Sequence, residues 1–352
     1  MQILSLDKLP GQQSMLIFHA LARMGFEGLI VVSPRIPLAS VGYFQDAEKE
    51  INLEYCRRKG IPVMRREVGG GATYLDENQI FYQVVWNRKN VRFPKRVSKI
   101  FELLSEPACE TYREFGIEAC FRPTNDIITK EGKKIAGEGG GDIQDSMVLV
   151  GGMLMDFDYK TMSRIIKVPD EKFRDKVYKG MEENLTNMRQ ELGQVPKRED
   201  IVKVIIEKYE KILGKLEPVH LNRETLNKMA ELESWFTSEK FLFKKTPRIP
   251  EGVKIREGVE ISYSTYKAKG GLIRTTQEIE KDIINDIGIS GDFQFYPKSR
   301  LDKLEDELKQ TERKEKILNA RLEKFYDRDK VDSPGVRPED FTRAVLAIRK
   351  ES

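Results

Sequence analysis

Three consecutive glycines occupy positions 69–71, in the stretch RREVGGGATYLD. Glycine loses more backbone freedom on folding than any other residue, so a run of three needs a structural reason. Backbone without Cβ can approach a ligand closely and present several N–H groups to one anion. Arg65 and Arg66 could supply charge for a phosphate or a carboxylate. Because neither GxxxxGK[ST] nor GxGxxG fits, the stretch predicts either a hairpin turn or a loop against a charged ligand.

Strand and helix signals alternate on both sides of the glycines. Apolar residues at helical spacing predict a helix over residues 13–23, and EGLIVVS predicts a strand over residues 27–33. Residues 46–58 predict a helix that ends at Gly60, a residue typical of helix C-termini. IPVMRRE then predicts a strand that enters the glycines, and QIFYQVVW at residues 79–86 predicts one that leaves them.

A second glycine-bounded stretch covers residues 125–137, with the sequence NDIITKEGKKIAG, and EGGGD follows it. Glu131-Gly132 is typical of a turn, so a strand is predicted on either side. A lysine held on such a strand can present a fixed ammonium group to a carboxylate or a phosphate. A solvent-exposed lysine of a hairpin is the alternative. Residues 147–158, MVLVGGMLMDFD, predict a further apolar strand.

The chain divides near residues 246–252, where TPRIPEG contains two prolines and one glycine. Before this point helices are predicted over most of residues 170–245, and the apolar residues of IVKVIIEKYEKILGKL trace one helix face. Beyond it a second β-rich pattern begins with VKIREGVEISYSTY. The charged residues 301–326 predict a helix with a solvated face, and residues 337–349 predict a short helix.

Composition excludes several classes of protein. Among 352 residues, 61 basic and 57 acidic side chains are nearly balanced, which does not favour nucleic acid as a partner. No apolar run is long enough to cross a membrane, and the N-terminal residues show no secretory signal. Three cysteines at wide spacings and two histidines are too few for a disulfide framework, a zinc site or a histidine-based triad. We therefore expect a cytoplasmic protein without a membrane partner.

Taken together, the two motifs resemble the lipoate–protein ligase family of the biotin and lipoate ligase superfamily. Supporting stretches extend the resemblance over nearly the whole chain, at residues 37–44, 151–158, 269–273 and 291–293. The resemblance implies an α/β fold (mixed α+β) whose catalytic domain, residues 1–248, is like that of class II aminoacyl-tRNA synthetases, with mixed sheets. It also implies a small α/β accessory domain at residues 249–352.

The resemblance implies an activity as well. Such ligases use ATP and Mg²⁺ to convert lipoate to an acyl-adenylate with release of pyrophosphate. They then transfer the lipoyl group to a lysine of lipoyl carrier domains, in E2 subunits of 2-oxoacid dehydrogenases and in the glycine cleavage H protein. The residues implied to contact ATP or the adenylate are Arg66, Gly71, Ala72, Thr73, Tyr74, Asn125, Asp126 and Lys134. Those implied to contact lipoate are Val68, Gly69, Gly70, Lys134 and Gly137. Asp126 is also the implied Mg²⁺ ligand.

Lys134 is the implied catalytic residue, in contact with both the lipoyl carbonyl oxygen and the phosphate. It is chosen over Lys133 because it directly precedes Ile-Ala-Gly. Two positions depart from the family pattern: Leu75 stands where many members carry histidine, and Val68 stands where serine or threonine is common. Both departures make the predicted pocket more apolar, so octanoate could serve as well as lipoate.

Three alternatives remain at this level. In a cysteine-dependent acyltransferase, which moves octanoyl or lipoyl groups between carrier proteins without ATP, Cys120 could be the nucleophile. A small buried apolar residue is the structural alternative for Cys120. The second alternative is a non-catalytic module that binds lipoyl carriers, although the intact glycines and Lys134 favour an enzyme. The third is a biotin ligase, although the accessory domain and the K-I-A-G motif favour lipoate.

Overall fold

The computed structural model describes residues 1–247 and 259–347. The strands are β1 Gln2–Leu9, β2 Gly28–Pro34, β3 Leu38–Val41, β4 Val63–Arg65, β5 Thr73–Leu75, β6 Gln79–Asn87, β7 Ala119–Arg122, β8 Asp126–Thr129, β9 Lys134–Ile143, β10 Ser146–Leu154, β11 Glu217–Pro218, β12 Val259–Ala268, β13 Gly271–Glu280, β14 Ile283–Gly291 and β15 Thr311–Glu312. The helices are α1 Gly11–Arg23, α2 Ala47–Glu50, α3 Leu53–Lys59, α4 Val97–Glu114, α5 Tyr159–Ile165, α6 Arg174–Asn184, α7 Met188–Leu192, α8 Arg198–Leu213, α9 Arg223–Phe236, α10 Glu239–Leu242, α11 Arg300–Leu308, α12 Glu315–Asp329 and α13 Pro338–Leu346. None of these described helices combines the length and the apolarity that crossing a membrane requires.

Eight strands form one large mixed sheet in the order β11-β1-β2-β6-β10-β9-β8-β7. β1 is parallel to β2 and to β11, whereas the neighbouring pairs from β2 to β7 in this order are antiparallel. A three-stranded sheet in the order β4-β3-β5 is also mixed. These mixed sheets, with helices packed on them, confirm the predicted fold class.

The two faces of the large sheet carry different cores. Because side chains alternate along a strand, Tyr82 and Val84 of β6 pack in the cluster with α4 and α8, whereas Phe81 and Val85 pack in the cluster with α1. The buried row of α8 consists of residues four apart, Ile201, Ile205, Tyr209 and Leu213. These four buried positions belong to the predicted apolar face of the helix and confirm it.

One predicted helix is broken in two. Residues 46–58 form α2 and α3, because Ile51 leaves the helix to form a β-bridge with Ile166. Asn52 then caps α3 by accepting the Tyr55 N–H at 3.0 Å. Gly60 ends α3 in the left-handed conformation, with φ 64°, so the predicted stop is confirmed and the predicted continuous helix is wrong.

Residues 259–347 form a second unit, in which β12 to β15 make an antiparallel sheet that packs against helices. The predicted helix over residues 301–326 is two helices, α11 and α12, because Thr311 leaves the helix to pair with Ile284. Leu304 and Leu318 are buried beneath the charged surface of these helices. The predicted domain boundary between residues 248 and 249 lies outside the described residues.

The second unit packs directly against the first. The ring of Phe293 stacks on that of Phe44 with centroids 5.4 Å apart, and Gly291 donates its N–H to the Phe44 carbonyl at 2.9 Å. Arg274 forms an ion pair with Glu50 at 3.0 Å. The loop between β14 and α11 also lies next to the three glycines, because a Cβ on Gly69 would lie 3.0 Å from the carbonyl oxygen of Phe293.

Candidate functional site

A cavity of about 250 Å³ lies between the large sheet and the glycine loop, residues 66–75. Strands β6, β9 and β10 contribute to its walls, and α1 contributes Met15 and Phe18. The polar residues that line it are Arg66, Thr73, Gln79, Gln83, Asn125, Lys134 and Glu138. A mostly apolar wall with a few polar groups suits an aliphatic ligand that carries a charged end.

The glycine loop packs on a second run of glycines in β9. Gly69 donates its N–H to the carbonyl of Gly140 at 3.0 Å. A Cβ on Gly139 would lie only 2.8 Å from the carbonyl oxygen of Gly69, so the close approach requires glycine. Gly70 has φ 97°, in the left-handed region that other residues rarely adopt. The two glycine-rich motifs therefore belong to one structure, in which the backbone of one covers the backbone of the other.

The two arginines before the glycines have different roles. Arg65 is fully buried and donates to four backbone carbonyls, so the prediction that it supplies charge to a ligand is wrong. Arg66 lines the cavity and donates to the carbonyls of Gly69 at 3.1 Å and Gly71 at 2.7 Å. Burial and the charge of Arg65 lower the pKa of Arg66 to about 10, so it stays charged at neutral pH. Its hydrogen bonds to described residues all go to uncharged oxygens.

Lys134 begins β9 and lines the cavity. Its ammonium group pairs with Asp126 at 2.6 Å, and Arg122 contacts the other oxygen of that carboxylate at 2.9 Å. Burial opposes the charge of Asp126, but Lys134 and Arg122 outweigh burial and lower the pKa of this carboxyl group. A Cβ on Gly137 would lie 2.8 Å from Lys134 Nζ. Glycine at this position therefore leaves room for the lysine side chain.

Most of the predicted site residues meet at this cavity. Those that line it are Arg66, Gly70, Gly71, Ala72, Thr73, Tyr74, Asn125, Lys134 and Gly137. Val68 and Gly69 are not among the lining residues, so only Leu75 of the two departures from the family pattern contributes to the wall. Asp126 also does not line the cavity and is linked to it through Lys134. The binding roles of these residues stay predictions.

A buried carboxyl group, missed by sequence reasoning, belongs to a residue of the cavity wall. Glu138 of β9 is 3 % exposed and accepts hydrogen bonds from Tyr82 at 2.7 Å and from Ser105. Burial raises the pKa of Glu138 to about 7, although the two hydrogen bonds oppose this rise. The backbone of Glu138 also donates to the Asn125 carbonyl at 2.9 Å. The sequence could not reveal this environment, because Tyr82 and Ser105 come from distant parts of the chain.

We expect Glu138→Gln to remove a pH dependence of stability. The folded carboxyl group ionises near pH 7 and the unfolded one near pH 4.5, so the folded chain binds more protons between these values and wild-type stability falls as pH rises. The loss across this window is roughly 3 kcal/mol. Urea unfolding of both proteins across this pH window measures the loss. The contributions of the other titrating groups cancel when the unfolding free energies of the two proteins are subtracted. If the difference in unfolding free energy between wild type and Glu138→Gln stays constant with pH, the raised pKa of Glu138 is contradicted.

The C-terminal unit supports the glycine loop through residues that do not line the cavity. In the amide orientation that satisfies both of its polar atoms, Gln294 donates to the Gly140 carbonyl at 3.1 Å and accepts the Gly70 N–H at 3.3 Å. Lys298 pairs with Glu67 at 3.0 Å. Burial opposes the charge of Glu67, but Lys298 and neighbouring cations hold its pKa at about 2. The backbone of the loop is therefore fixed by residues of both units.

The three cysteines are all described, and none lines the cavity. Cys56 and Cys109 are buried, and burial raises the pKa of their thiols to about 11 and about 12. Cys120 is exposed on β7, an edge strand of the large sheet, so the expectation of a buried residue is wrong. It faces a separate depression between α4 and the C-terminal unit, which Lys99 and Lys269 also line.

The described residues do not form a metal site in advance of substrate. No group of three or more histidine, cysteine, aspartate or glutamate side chains among them could hold a metal ion. Both carboxylate oxygens of Asp126, the predicted Mg²⁺ ligand, face the cations of Lys134 and Arg122. These residues do not fit a resident Mg²⁺, and a role for Asp126 in binding this ion stays a prediction.

Mixed sheets, a largely apolar cavity and a lysine at the start of a strand that lines it are the features by which this chain can be compared with known proteins. The chain belongs to the lipoyl protein ligase A/B catalytic domain family, whose model matches residues 23–210. It is therefore an enzyme of the lipoate ligase and transferase family. The family resemblance predicted from the two motifs is confirmed.

Relatives of two kinds are similar to this chain. Lipoate-protein ligase A subunit 1 of Thermoplasma acidophilum is 32 % identical over 157 residues, which cover 42 % of this chain and 58 % of that relative. The chain thus spans less than two thirds of that protein's length. The octanoyltransferase LipM of Kyrpidia tusciae is 25 % identical over 231 residues, which cover 59 % of this chain and 84 % of that relative.

Solved structures of lipoate ligases share the fold. The bipartite lipoate protein ligase from an archaeal lipoylation system of T. acidophilum matches with a TM-score of 0.62 and 26 % identity, over 70 % of this chain and 98 % of that chain. LipL1 of P. falciparum, solved with lipoate, matches with a TM-score of 0.66 and 16 % identity, over 92 % of this chain and 94 % of that chain. The likeness to LipL1 shows that the fold extends over nearly the whole chain.

Proposed function

We propose that this enzyme is an ATP-dependent lipoate–protein ligase. The cavity holds the aliphatic part of lipoate, and Lys134 contacts its carboxylate. Arg66 and the backbone of residues 70–74 hold the phosphate and the nucleotide side of the acyl-adenylate, with Asn125 beside them. Residues 1–248 carry this chemistry, and residues 249–352 support it through the glycine loop.

In the first step a carboxylate oxygen of lipoate attacks the α-phosphorus of ATP, the bond to the β-phosphate oxygen breaks, and pyrophosphate leaves. Because both reactants are anions, the cations of Lys134 and Arg66 offset their repulsion. In the second step the amine of an acceptor lysine attacks the acyl carbon, AMP leaves, and the amine loses a proton to solvent. The described residues provide no resident Mg²⁺ site, and no step in this scheme runs through the metal.

The position of the cysteines carries this proposal. A cysteine-dependent transferase needs its thiolate beside the acyl carbon, and none of the three cysteines of this chain lines the cavity. Cys120 faces a different depression, whereas Lys134 and Arg66 both face the cavity. Adenylation needs these cations and no protein nucleophile, so the arrangement supports the ligase.

The proposed acceptors are lipoyl carrier domains, in E2 subunits and in the glycine cleavage H protein. The similar archaeal ligase was studied together with its own E2 lipoyl domain. The second candidate function is octanoyl or lipoyl transfer between carriers, which the LipM relatives favour. In that case Cys120 would have to reach the acyl group after β7 moves.

We expect Cys120→Ser to release pyrophosphate from ATP and lipoate at the rate of the unchanged protein. The serine keeps the size of the side chain but removes the thiolate, which the proposed chemistry does not use. A reaction mixture without ATP is the control, and neither protein should modify a carrier domain in it. Acyl transfer that needs no ATP and disappears in Cys120→Ser contradicts the ligase and supports the transferase.

A further inference from the structure

A buried glutamine lies in the cavity wall at a distance from Lys134. Gln83 belongs to β6, where Gln79, Phe81 and Gln83 all line the cavity. Its side chain is almost fully buried, with the residue 1 % exposed. Met15 and Phe18 of α1 line the cavity as well, so the surroundings of this amide are largely apolar.

Only one half of the Gln83 amide has a partner among the described residues. Nε2 donates to the Ser14 carbonyl of α1 at 3.1 Å, whereas Oε1 is buried without a hydrogen bond. The orientation is fixed, because exchanging the two atoms would place the amide oxygen against the carbonyl oxygen. A buried acceptor without a donor is costly, so the site favours a ligand that brings a donor to Oε1.

The register of the sheet gives the distance between Gln83 and the reacting end. Gln83 pairs with Val150, and Val150 pairs with Gly139, so these three residues form one row across β6, β10 and β9. The Lys134 ammonium lies next to Gly137, two residues from that row. Two residues along a strand and two strands across a sheet span about 7 Å and about 10 Å, which places Gln83 roughly 12 Å from Gly137. This separation suits the far end of a medium-length acyl chain whose carboxylate is at Lys134.

We propose that Gln83 Oε1 accepts a hydrogen bond from a donor at the distal end of the bound acyl group. The substrate class that follows is a medium-chain acid with distal S–H groups, namely the reduced dithiol form of lipoate. Oxidised lipoate and octanoate have no donor at this end and leave Oε1 unpaired. The identity of this substrate class rests on the proposed function, because it assumes that the cavity holds an acyl chain.

Equilibrium binding of free acids, measured by calorimetry without ATP or carrier, tests the proposal. The unchanged protein and Gln83→Met are titrated with dihydrolipoate, kept reduced by a phosphine, and with octanoate. We expect the dissociation constant of dihydrolipoate to rise about fivefold in Gln83→Met, while that of octanoate stays the same or falls. Oxidised lipoate should follow octanoate, and 8-hydroxyoctanoate, whose hydroxyl cannot be oxidised to a disulfide, should follow dihydrolipoate.

A parallel change for all four acids, or an unchanged affinity for dihydrolipoate, overturns the proposal. Gln83→Leu is a second variant, and thermal unfolding of both variants shows that the fold is retained. The ligase proposal is tested separately, because these titrations contain no ATP. Selective binding without any adenylate formation would leave the inference about Gln83 standing and remove the ligase. Adenylate formation without selective binding would support the ligase and overturn the inference about Gln83.

Discussion

Replacing Lys134 with alanine is expected to reduce the formation of acyl-adenylate by ~10²–10³-fold, the effect of removing one fixed charge or donor from a reacting centre. The ammonium group of Lys134 faces the cavity and has room because position 137 is glycine. Without it, Arg66 is the one cation left among the described lining residues to offset the repulsion between the carboxylate and the triphosphate. Pyrophosphate release from ATP and lipoate measures the loss.

The fold is expected to survive this change. The side chain of Lys134 is 34 % exposed, and Asp126 keeps its contact with Arg122 at 2.9 Å, so the stability loss is about 1 kcal/mol or less. Lys133→Ala is the matched control, because Lys133 is adjacent in sequence but does not line the cavity. Pyrophosphate release that persists in Lys134→Ala and is lost in Lys133→Ala would show that the wrong lysine has been assigned.

Removing the C-terminal unit, in a chain that ends at residue 247, is expected to reduce adenylation by ~10²-fold, since small displacements of a reacting geometry cost about that much. Gln294 and Lys298 would be lost, and with them the contacts that fix Gly70 and Glu67. Phe44, buried at 2 % exposure, would lose its stacking partner Phe293. The measurement is again pyrophosphate release, with residues 259–352 added as a separate chain in a second arm.

Because the shortened chain exposes apolar surface, point variants of the full chain provide an independent test. Gln294→Ala removes the hydrogen bonds to Gly70 and Gly140 but leaves the stacking of Phe293 intact, so we expect an adenylation loss of about tenfold with little change in stability. Arg343→Ala is the control, because its side chain is exposed and lies far along the same unit, on Tyr266. A full rate for both the shortened chain and Gln294→Ala would contradict the role of this unit.

The features that sequence reasoning found are those whose causes are local. Gly132 and Gly60 mark a turn and a helix end because both have positive φ, a property of a single residue. Lys134 is predicted because it directly precedes Ile-Ala-Gly, and in the structure Gly137 of this motif leaves space for its side chain. The glycine-rich motifs are visible in the sequence for a similar reason, because the close packing of one backbone on another requires glycine. The second unit is predicted from its own strand pattern, and its predicted boundary lies outside the described residues.

The features that sequence reasoning missed depend on which elements meet. Neighbouring residues of an extended chain point to opposite sides, and only the packing of Arg65 against α10 shows which arginine lies in the cavity. Val68 and Gly69 were expected in the lining but pack on β9 instead. Gln83 is a polar residue in a largely apolar strand, and this contrast is visible in the sequence. The orientation that leaves its oxygen unpaired, however, is set by the hydrogen bond from Nε2 to Ser14, which lies 69 positions earlier in the chain.

The mass of a purified lipoyl carrier domain after incubation with this enzyme tests the central claim most directly. One mixture contains lipoate and ATP, a second contains lipoate alone, and a third contains an octanoylated carrier as donor without ATP. The proposed function predicts a lipoyl-sized increase on one lysine of the carrier in the first mixture only. Modification of the acceptor carrier in the third mixture, with none in the first, would contradict the assignment as an ATP-dependent ligase.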